Sequence, residues 1–495
     1  MLTTDEIKFF IQDDATSDLK RCAKKGLAYY ESDHDIKQYR LFYYNTDGVL
    51  VEDKTRSNVK ISHPFFTELV DQATQYILSG ADGIVKSDIP ELQTQLDTYF
   101  NENEDFIAEL SEVLTGCMAK GTEYMYAYKN AEDRTAFQCA DSIGVVEVRA
   151  KDTDDNTEYV IYWYVDRITK EKKKIKRIQV WDSEQTYFYV QDGEGEIIKD
   201  ESEPVNPKPH TIYKEDGEDH TYFEGFGYIP FFRLDNNKKQ FSGLKPIKDL
   251  IDDYDIMNSS LSNNLADFDK PIYVVRGFEG DNLDELQQNL KTKKIIGMES
   301  TDTGAGIDIK TVDIPYQARL VKMQEDEKNI YRFGMGLNTS GLKDTAATTN
   351  IAIKAAYSLL DLKCGKLQIR LQQFLRKLLK PVLNEINDID GTDYQQKDVY
   401  FTFNPEIMSN ALENAQIELT EAQKQQTEVN TVLGLATQLD SETIVQLICD
   451  ALDISYEEIK DKLPQDEEMV ISNAQSTLDS VPVDDPVNEV GGAVE

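Results

Sequence analysis

The spacing of apolar residues changes several times along this chain, and each change marks a different kind of element. Leu69, Val70, Ala73, Tyr76 and Ile77 recur at helical spacing after a start at His63 and Pro64. A second helix is predicted over 89–100. A third is predicted over 104–120, with Phe106, Leu110, Val113 and Leu114 on one face. Residues 1 to about 130 therefore read as mostly helical. From about 122 to 234 the period shortens to that of strands. Runs such as EYMYAYK, TEYVIYWYVDRI, KRIQVWD and QTYFYVQDGEGEIIK are separated by turn residues at 152–156, Asp192, Gly193 and Gly195. They predict an antiparallel β region with hairpins. The basic run 170–177 lies at one hairpin and reads as a solvated strand that protects a sheet edge.

Helical spacing returns over 243–269, GLKPIKDLIDDYDIMNSSLSNNLADFD, where Leu244, Ile247, Leu250, Ile251, Tyr254, Met257, Leu261 and Leu265 form the apolar stripe. Such a helix spans about 35–40 Å. A small insert follows, with strands at 271–275, 294–297 and 307–314 and a short helix at 281–290. A second long helix starts at Pro315 and ends near Gly334 and Gly336, so two long helices flank a small knob. The polar stretch 336–350 reads as a mobile loop with one cation, Lys343. Residues 351–387 then predict a helix on the order of 55 Å long, with Gly365 and Pro381 as points for a kink. Lys354, Asp361, Lys363, Lys366 and Arg370 argue against a membrane role for it. A strand at 398–403 is expected to return to the earlier β region. Helices are expected at 406–426, 427–439, 441–451 and 455–462. The tail 464–495 is acidic and reads as disordered. The fold class is α+β.

Charge narrows the function. The chain has 495 residues, with 53 Lys and Arg against 91 Asp and Glu, a net charge of −38. Broad, tight DNA binding depends on neutralising phosphates, so an acidic chain is a poor DNA clamp; taken alone the charge reads as simple solubility, with a path that DNA slides along without sticking as the alternative. The five cysteines Cys22, Cys117, Cys139, Cys364 and Cys449 are scattered without a C-x-x-C spacing, which argues against a disulfide framework or a zinc site. No apolar run is long enough for a membrane span. The acidic N-terminal stretch lacks the order of a signal peptide.

No P-loop, H-E-x-x-H or G-x-S-x-G motif occurs. The four histidines, His34, His63, His210 and His220, lack ligand spacing. His63 reads as structural, and His210 and His220 as solvated. The acidic loop at Asp152, Asp154, Asp155, Asn156 and Glu158 lacks the glycine and spacing of a calcium loop. No catalytic residue, metal site or cofactor is assigned, and the chain reads as a non-enzyme. The order of elements carries the information: paired rods suit copies packed side by side about an axis, and a head-to-tail interface that closes makes a ring.

Three stretches resemble the portal proteins of long-tailed phages that infect Gram-positive bacteria. They are NVKISHPFFTELVD at 58–71 with YILSG at 76–80, the segment 243–267 followed by Lys270 and Pro271, and the loop and long helix at 336–387. The resemblance covers about 30–460. It implies a portal-type fold with a β-rich wing at 1–242, stem helices at 243–269 and 315–335 and an α/β clip at 270–314. A tunnel loop at 336–350, a long wing helix with its returning strand at 351–404 and a helical crown at 405–463 would follow, then the tail 464–495. It implies a ring of about twelve subunits at the capsid portal vertex, assembled in the host cytoplasm. The ring would serve as a conduit for double-stranded DNA in packaging and ejection. The implied partners are the terminase large subunit, the major capsid and scaffolding proteins and a head-tail connector, with no membrane. The implied DNA-contacting residues are Asn338, Thr339, Ser340, Lys343, Thr345, Thr348 and Thr349. The competing expectations are another virion component, such as a neck or baseplate protein, and a DNA-processing enzyme. The enzyme would need a carboxylate cluster and a basic groove that the sequence lacks.

Overall fold

The computed structural model describes residues 1–452 apart from 46, 55, 81–82, 131–133, 150–156, 169–172, 215–220, 225, 269–271, 277–305, 311–314, 340–349, 404–410 and 436–440. It divides into two units, one of Met1–Thr345 with Lys354–Ile407 and one of Ala346–Ile353 with Met408–Glu495.

The first unit begins with helices α1 (Thr4–Thr16) and α2 (Asp18–Tyr30). A capping box starts α1: the Thr3 hydroxyl accepts from the Glu6 N–H at 3.3 Å, and the Glu6 carboxylate accepts from the Thr3 N–H at 2.8 Å. A hairpin of β1 (Phe42–Tyr44) and β2 (Leu50–Glu52) follows, then α3 (Phe65–Leu78) and the short strand β3 (Val85–Lys86). The helix predicted over 89–100 is shorter. It is α4 (Pro90–Leu96), running into one wider turn at Asp97–Asn101. That turn aims the Asn101 amide at β3, where its oxygen accepts from Ile84 and Val85 at 2.9 and 3.0 Å. Helix α5 (Glu104–Lys120) is capped by Asn103 and ends at Gly121, whose φ is +100°. A side chain there would strike the Gln240 carbonyl, so glycine serves both the turn and the close approach.

The β region contains β4 (Thr122–Lys129), β5 (Thr135–Ala140), β6 (Val145–Arg149), β7 (Thr157–Ile168), β8 (Lys174–Trp181), β9 (Gln185–Asp192), β10 (Ile197–Lys199) and β11 (Lys208–Pro209). β12 (Thr211–Lys214), β13 (Thr221–Glu224) and β14 (Phe231–Asp235) complete it. β14–β4–β5 make one sheet, β10–β9–β8–β7–β6 with β11 beside β9 make another, and β12–β13 pair separately. Facing strands are antiparallel throughout, as the short-period runs predict. One expectation fails here: the described part of the basic run lies on β8, an interior strand, not an edge. Within it Arg177 is matched, bonding Asp200 at 2.6 Å and Asp166 at 3.3 Å.

Helix α6 (Lys248–Phe268) leads to β15 (Ile272–Arg276), and β16 (Gly306–Lys310) leads to α7 (Tyr316–Gly334). β15 and β16 pair antiparallel from Ile272↔Lys310 to Arg276↔Gly306. The predicted helix at 281–290 and strand at 294–297 lie outside the described residues. Helix α8 (Asn350–Asp390) is the longest, and it continues through Gly365 and Pro381. Its inner face, with Leu367, Leu371, Phe374, Leu375 and Leu378, joins α3 and α5 in the main hydrophobic core. Near its end Glu385 receives the Tyr99 hydroxyl at 2.7 Å, the Lys129 ammonium at 2.8 Å and the Thr135 N–H at 2.9 Å. Burial works to raise this carboxyl, but those bonds outweigh it and hold it below the usual value.

The strand after α8, β17 (Tyr400–Phe401), does not return to the main β region. It pairs with β3, Phe401 opposite Val85. Because α8 packs over the helical layer, its exit lies beside β3, where the Ser87 hydroxyl also holds the Asp398 carbonyl at 2.8 Å. In the second unit, α9 (Ala411–Gly434) and α10 (Ser441–Ala451) pack together. The break expected between 426 and 427 is absent. Thr427 and Thr431 turn their hydroxyls back to the carbonyls one turn earlier at 2.7 Å and stay within the helix. The expected helix at 455–462 and the tail lie outside the described residues.

Candidate nucleic-acid interface

Helix α6 is fixed by an extended segment laid along it. The backbone N–H groups of alternate residues Ser57, Val59, Ile61 and His63 donate to the side chains of Asp267, Asn263, Ser259 and Asp255, at 3.1, 2.6, 3.0 and 3.0 Å. The match is one of repeats. Two residues of extended chain advance roughly 6.6 Å, and four residues of helix advance roughly 6 Å. Every second amide therefore meets every fourth side chain. Asp255, 0% exposed, also bonds His34 Nδ1 at 2.6 Å and His63 Nδ1 at 2.8 Å. Asn258 bonds the other nitrogen of His63 at 2.8 Å, and the His34 ring stacks on Tyr29 at 4.4 Å. His63 is thus structural, as its position before Pro64 suggests.

Helix α7 packs on α6. Lys322 bridges Asp253 of α6 and Asp326 of its own helix. Ile251 and Ile330 are buried in the shared core with Leu69 of α3. The rings of Tyr254 and Tyr331 lie 4.9 and 6.0 Å from that of Phe65.

The root of the following loop is pinned to α3. Met335 takes the left-handed conformation at φ +55°, and the Gly336 N–H reaches back to the Tyr331 carbonyl at 3.0 Å, a Schellman-type stop. A Cβ on Gly336 would lie 2.0 Å from a Leu69 methyl, so any other residue there would make the buried Leu69 side chain move. The Gln72 amide then clasps Leu337 from both sides, accepting its N–H and donating to its carbonyl, each at 3.0 Å. From α8, the Lys363 ammonium donates to the carbonyls of Gly334 and Leu69, both at 3.2 Å. Burial pushes this amine down to about 8. Among the proposed DNA-contacting residues, Asn338 is half-buried just past the clasp and Thr339 is exposed. Ser340, Lys343, Thr345, Thr348 and Thr349 lie outside the described residues. Gln72 and Lys363, which hold the loop root, carry no spacing signal in the sequence.

His210 corrects an expectation: it is buried, 8% exposed, with its ring 5.1 Å from Trp181 and, among the described residues, no hydrogen-bond partner for either ring nitrogen. Burial pushes it down to about 4, so it is neutral near pH 7. His220 and residues 152–156 of the acidic loop lie outside the described residues. Among the described residues no cluster of three or more His, Cys, Asp or Glu is placed to hold a metal ion, and no helix is long and apolar enough to cross a membrane.

The class this chain falls in is that of the phage portal proteins. Residues 9–467 match the family described as phage portal protein, SPP1 Gp6-like, and the chain belongs to that family. It is 26% identical over 354 residues to the portal protein of Bacillus phage SPP1, covering 71% of this chain and 67% of that one. It is 27% identical over 407 residues to the portal protein of Clostridium phage phiCD119, covering 77% of this chain and 85% of that one. Both are phages of Gram-positive hosts, in line with the resemblance read from the sequence.

Proposed function

We propose that copies of this chain close into a ring of about twelve subunits at one capsid vertex and conduct double-stranded DNA during packaging and ejection. The family match over residues 9–467 carries this reading. In it, α6 and α7 are the stem, the region between them with β15 and β16 is the clip, and 336–350 is the tunnel loop. Residues 1–242 and 351–404 form the wing, and 405–463 the crown. Terminase and later the head-tail connector dock at the clip end, and the capsid and scaffolding proteins meet the outer surface.

The chemistry supports a passive conduit. Strong phosphate binding would stall moving DNA, and a wall with a net charge of −38 per copy avoids it. Lys343 and the polar residues Asn338, Thr339, Ser340, Thr345, Thr348 and Thr349 supply weak, exchangeable contacts. The Gln72 clasp and Lys363 hold the base of that loop. Negative-stain electron microscopy of the purified protein tests the reading. Closed rings with an axial opening are expected, and a monomer or open filament across a range of salt concentrations would overturn it.

A further inference from the structure

From residue 362 to residue 384 the long helix α8 carries no Asp or Glu, in a chain where acids outnumber bases by 91 to 53. One cation of that stretch, Lys363, is taken up at the loop root. The others, Lys366, Arg370, Arg376, Lys377 and Lys380, lie on the side of the helix opposite the core residues Leu367, Leu371, Phe374, Leu375 and Leu378. Positions 366, 370, 373, 377 and 380 step by four and three residues, which keeps them in one line along a helix. The line is about 21 Å long. Arg370 is half-buried, and the other four cations are exposed. Among the described residues none of the five has a hydrogen bond or an ion pair. The acids that bracket the stretch are engaged elsewhere. Asp361 accepts from the Tyr76 hydroxyl at 3.3 Å, and Glu385 is held by Tyr99, Lys129 and Thr135. Arg376 lies 5.4 Å from the Phe401 ring and Lys380 4.4 Å from the Tyr228 ring, contacts that orient a cation and leave its charge uncancelled.

The chemistry of this face selects its partner. The exposed apolar residues Leu359, Leu362 and Ile369 end at 369. From 370 to 384 the exposed side chains are Gln373, Arg376, Lys377, Lys380 and Asn384, and each presents N–H donors. One sign of charge, donors and no carboxylate fit a polyanion. Protein–protein contacts are depleted in lysine, whereas protein–DNA contacts are polar and strongly positive. Duplex DNA carries one phosphate charge per about 1.7 Å of its axis, so about 21 Å of duplex has a phosphate for every cation of the line. Contacts of this kind position a duplex and read no sequence. The net charge of −38 does not cancel them, because charges more than about 8 Å apart are largely screened at physiological salt. A handful of exposed cations also holds weakly and exchanges with salt ions, which is compatible with DNA that later moves.

We infer that the exposed face of α8 from Lys366 to Lys380 is a sequence-independent contact for the phosphate backbone of duplex DNA, separate from the loop 336–350. It rests on the conduit reading only for the presence of duplex DNA. The test measures binding of the purified full chain to a labelled duplex by fluorescence anisotropy, from about 50 to 200 mM salt. Lys366→Gln/Lys377→Gln/Lys380→Gln is expected to lower the salt slope by about three and the low-salt affinity by about ten-fold or more. Lys238→Gln/Lys239→Gln/Lys397→Gln removes the same charge from exposed positions off that helix and is expected to leave both quantities unchanged. Both variants are expected to keep the wild-type circular-dichroism spectrum and to form rings. In wild type, added duplex is expected to protect Lys366, Lys377 and Lys380 from acetylation, read by mass spectrometry. That footprint decides the question should the α8 variant misfold. Equal binding by the two folded variants, or no protection in wild type, overturns the inference and leaves the ring reading standing. An α8 variant that folds but forms no rings makes this face a contact between copies and also overturns it. Absence of rings in wild type instead overturns the ring reading.

Discussion

The ammonium of Lys363, on the long helix α8, donates to the carbonyl of Gly334, the last residue of α7, at 3.2 Å. It thereby ties the helix after the loop to the helix before it, and its acceptors among the described residues are two carbonyls.

Burial pushes Lys363 down to about 8, against an unfolded value of about 10.4. Between those values the unfolded chain binds more protons, so this group makes stability rise with pH across that window. Lys363→Met removes that dependence: urea midpoints measured from pH 7 to 10 are expected to rise more steeply in wild type than in the variant. The same change frees the Gly334 carbonyl, so tryptic cleavage after Lys343 is expected to quicken about five-fold, the equivalent of about 1 kcal/mol.

The ladder between the extended segment and α6 predicts graded losses. Ser259→Ala removes one neutral acceptor and is expected to cost about 1 kcal/mol. Asp255→Ala strips partners from His34, His63 and a backbone N–H at once and is expected to cost about 3 kcal/mol. The two sites are neighbours on one ladder, so the double variant should lose less than the separate losses combined. Denaturant unfolding of the four proteins measures all three quantities.

The long helices and the antiparallel β region were legible because periodicity survives in a single sequence. The helix at 104–120 matches α5 residue for residue. What could not be read is which element answers another. Ser259 and Asn263 stood out only as polar positions opposite the apolar stripe, and nothing local says that residues 57–63 lie against them. The partner of β17 was misplaced for the same reason, since it depends on where α8 exits the core. The basic run on β8 looked like an edge because its charge is local, while the partners of Arg177 come from elsewhere in the fold, Asp166 from β7 and Asp200 from the residue after β10. At the loop, composition pointed only to a polar segment and the family resemblance to one that faces DNA, while the residues that anchor its root, Gln72 and Lys363, are identifiable only from tertiary contacts.

His210 gives a prediction of opposite sign to that of Lys363. Burial holds its pKa down to about 4, below an unfolded value of about 6.5. As pH falls through that window the unfolded chain takes up the proton first, so this residue destabilises the fold in mild acid. Neither ring nitrogen has a hydrogen-bond partner among the described residues, so His210→Phe keeps the packing against Trp181 and removes both the desolvation cost and the pH dependence. The variant is expected to match or exceed wild type at pH 7 and to exceed it by about 1–2 kcal/mol at pH 5, measured by thermal unfolding across that range.

Lys343 is the one cation in the stretch 336–350, and the conduit reading makes it the main attractive contact between the loop and a passing phosphate. One exposed lysine adds little to ring stability, and one phosphate contact lowers the salt slope of DNA binding by about one. Lys343→Ala is therefore expected to form rings indistinguishable from wild type by electron microscopy. The yield of DNA-filled heads, scored by nuclease-protected DNA in a packaging assay, is expected to change. Lost ring assembly in this variant would place Lys343 at a subunit contact. Unaltered packaging would leave it a solvated lysine away from DNA.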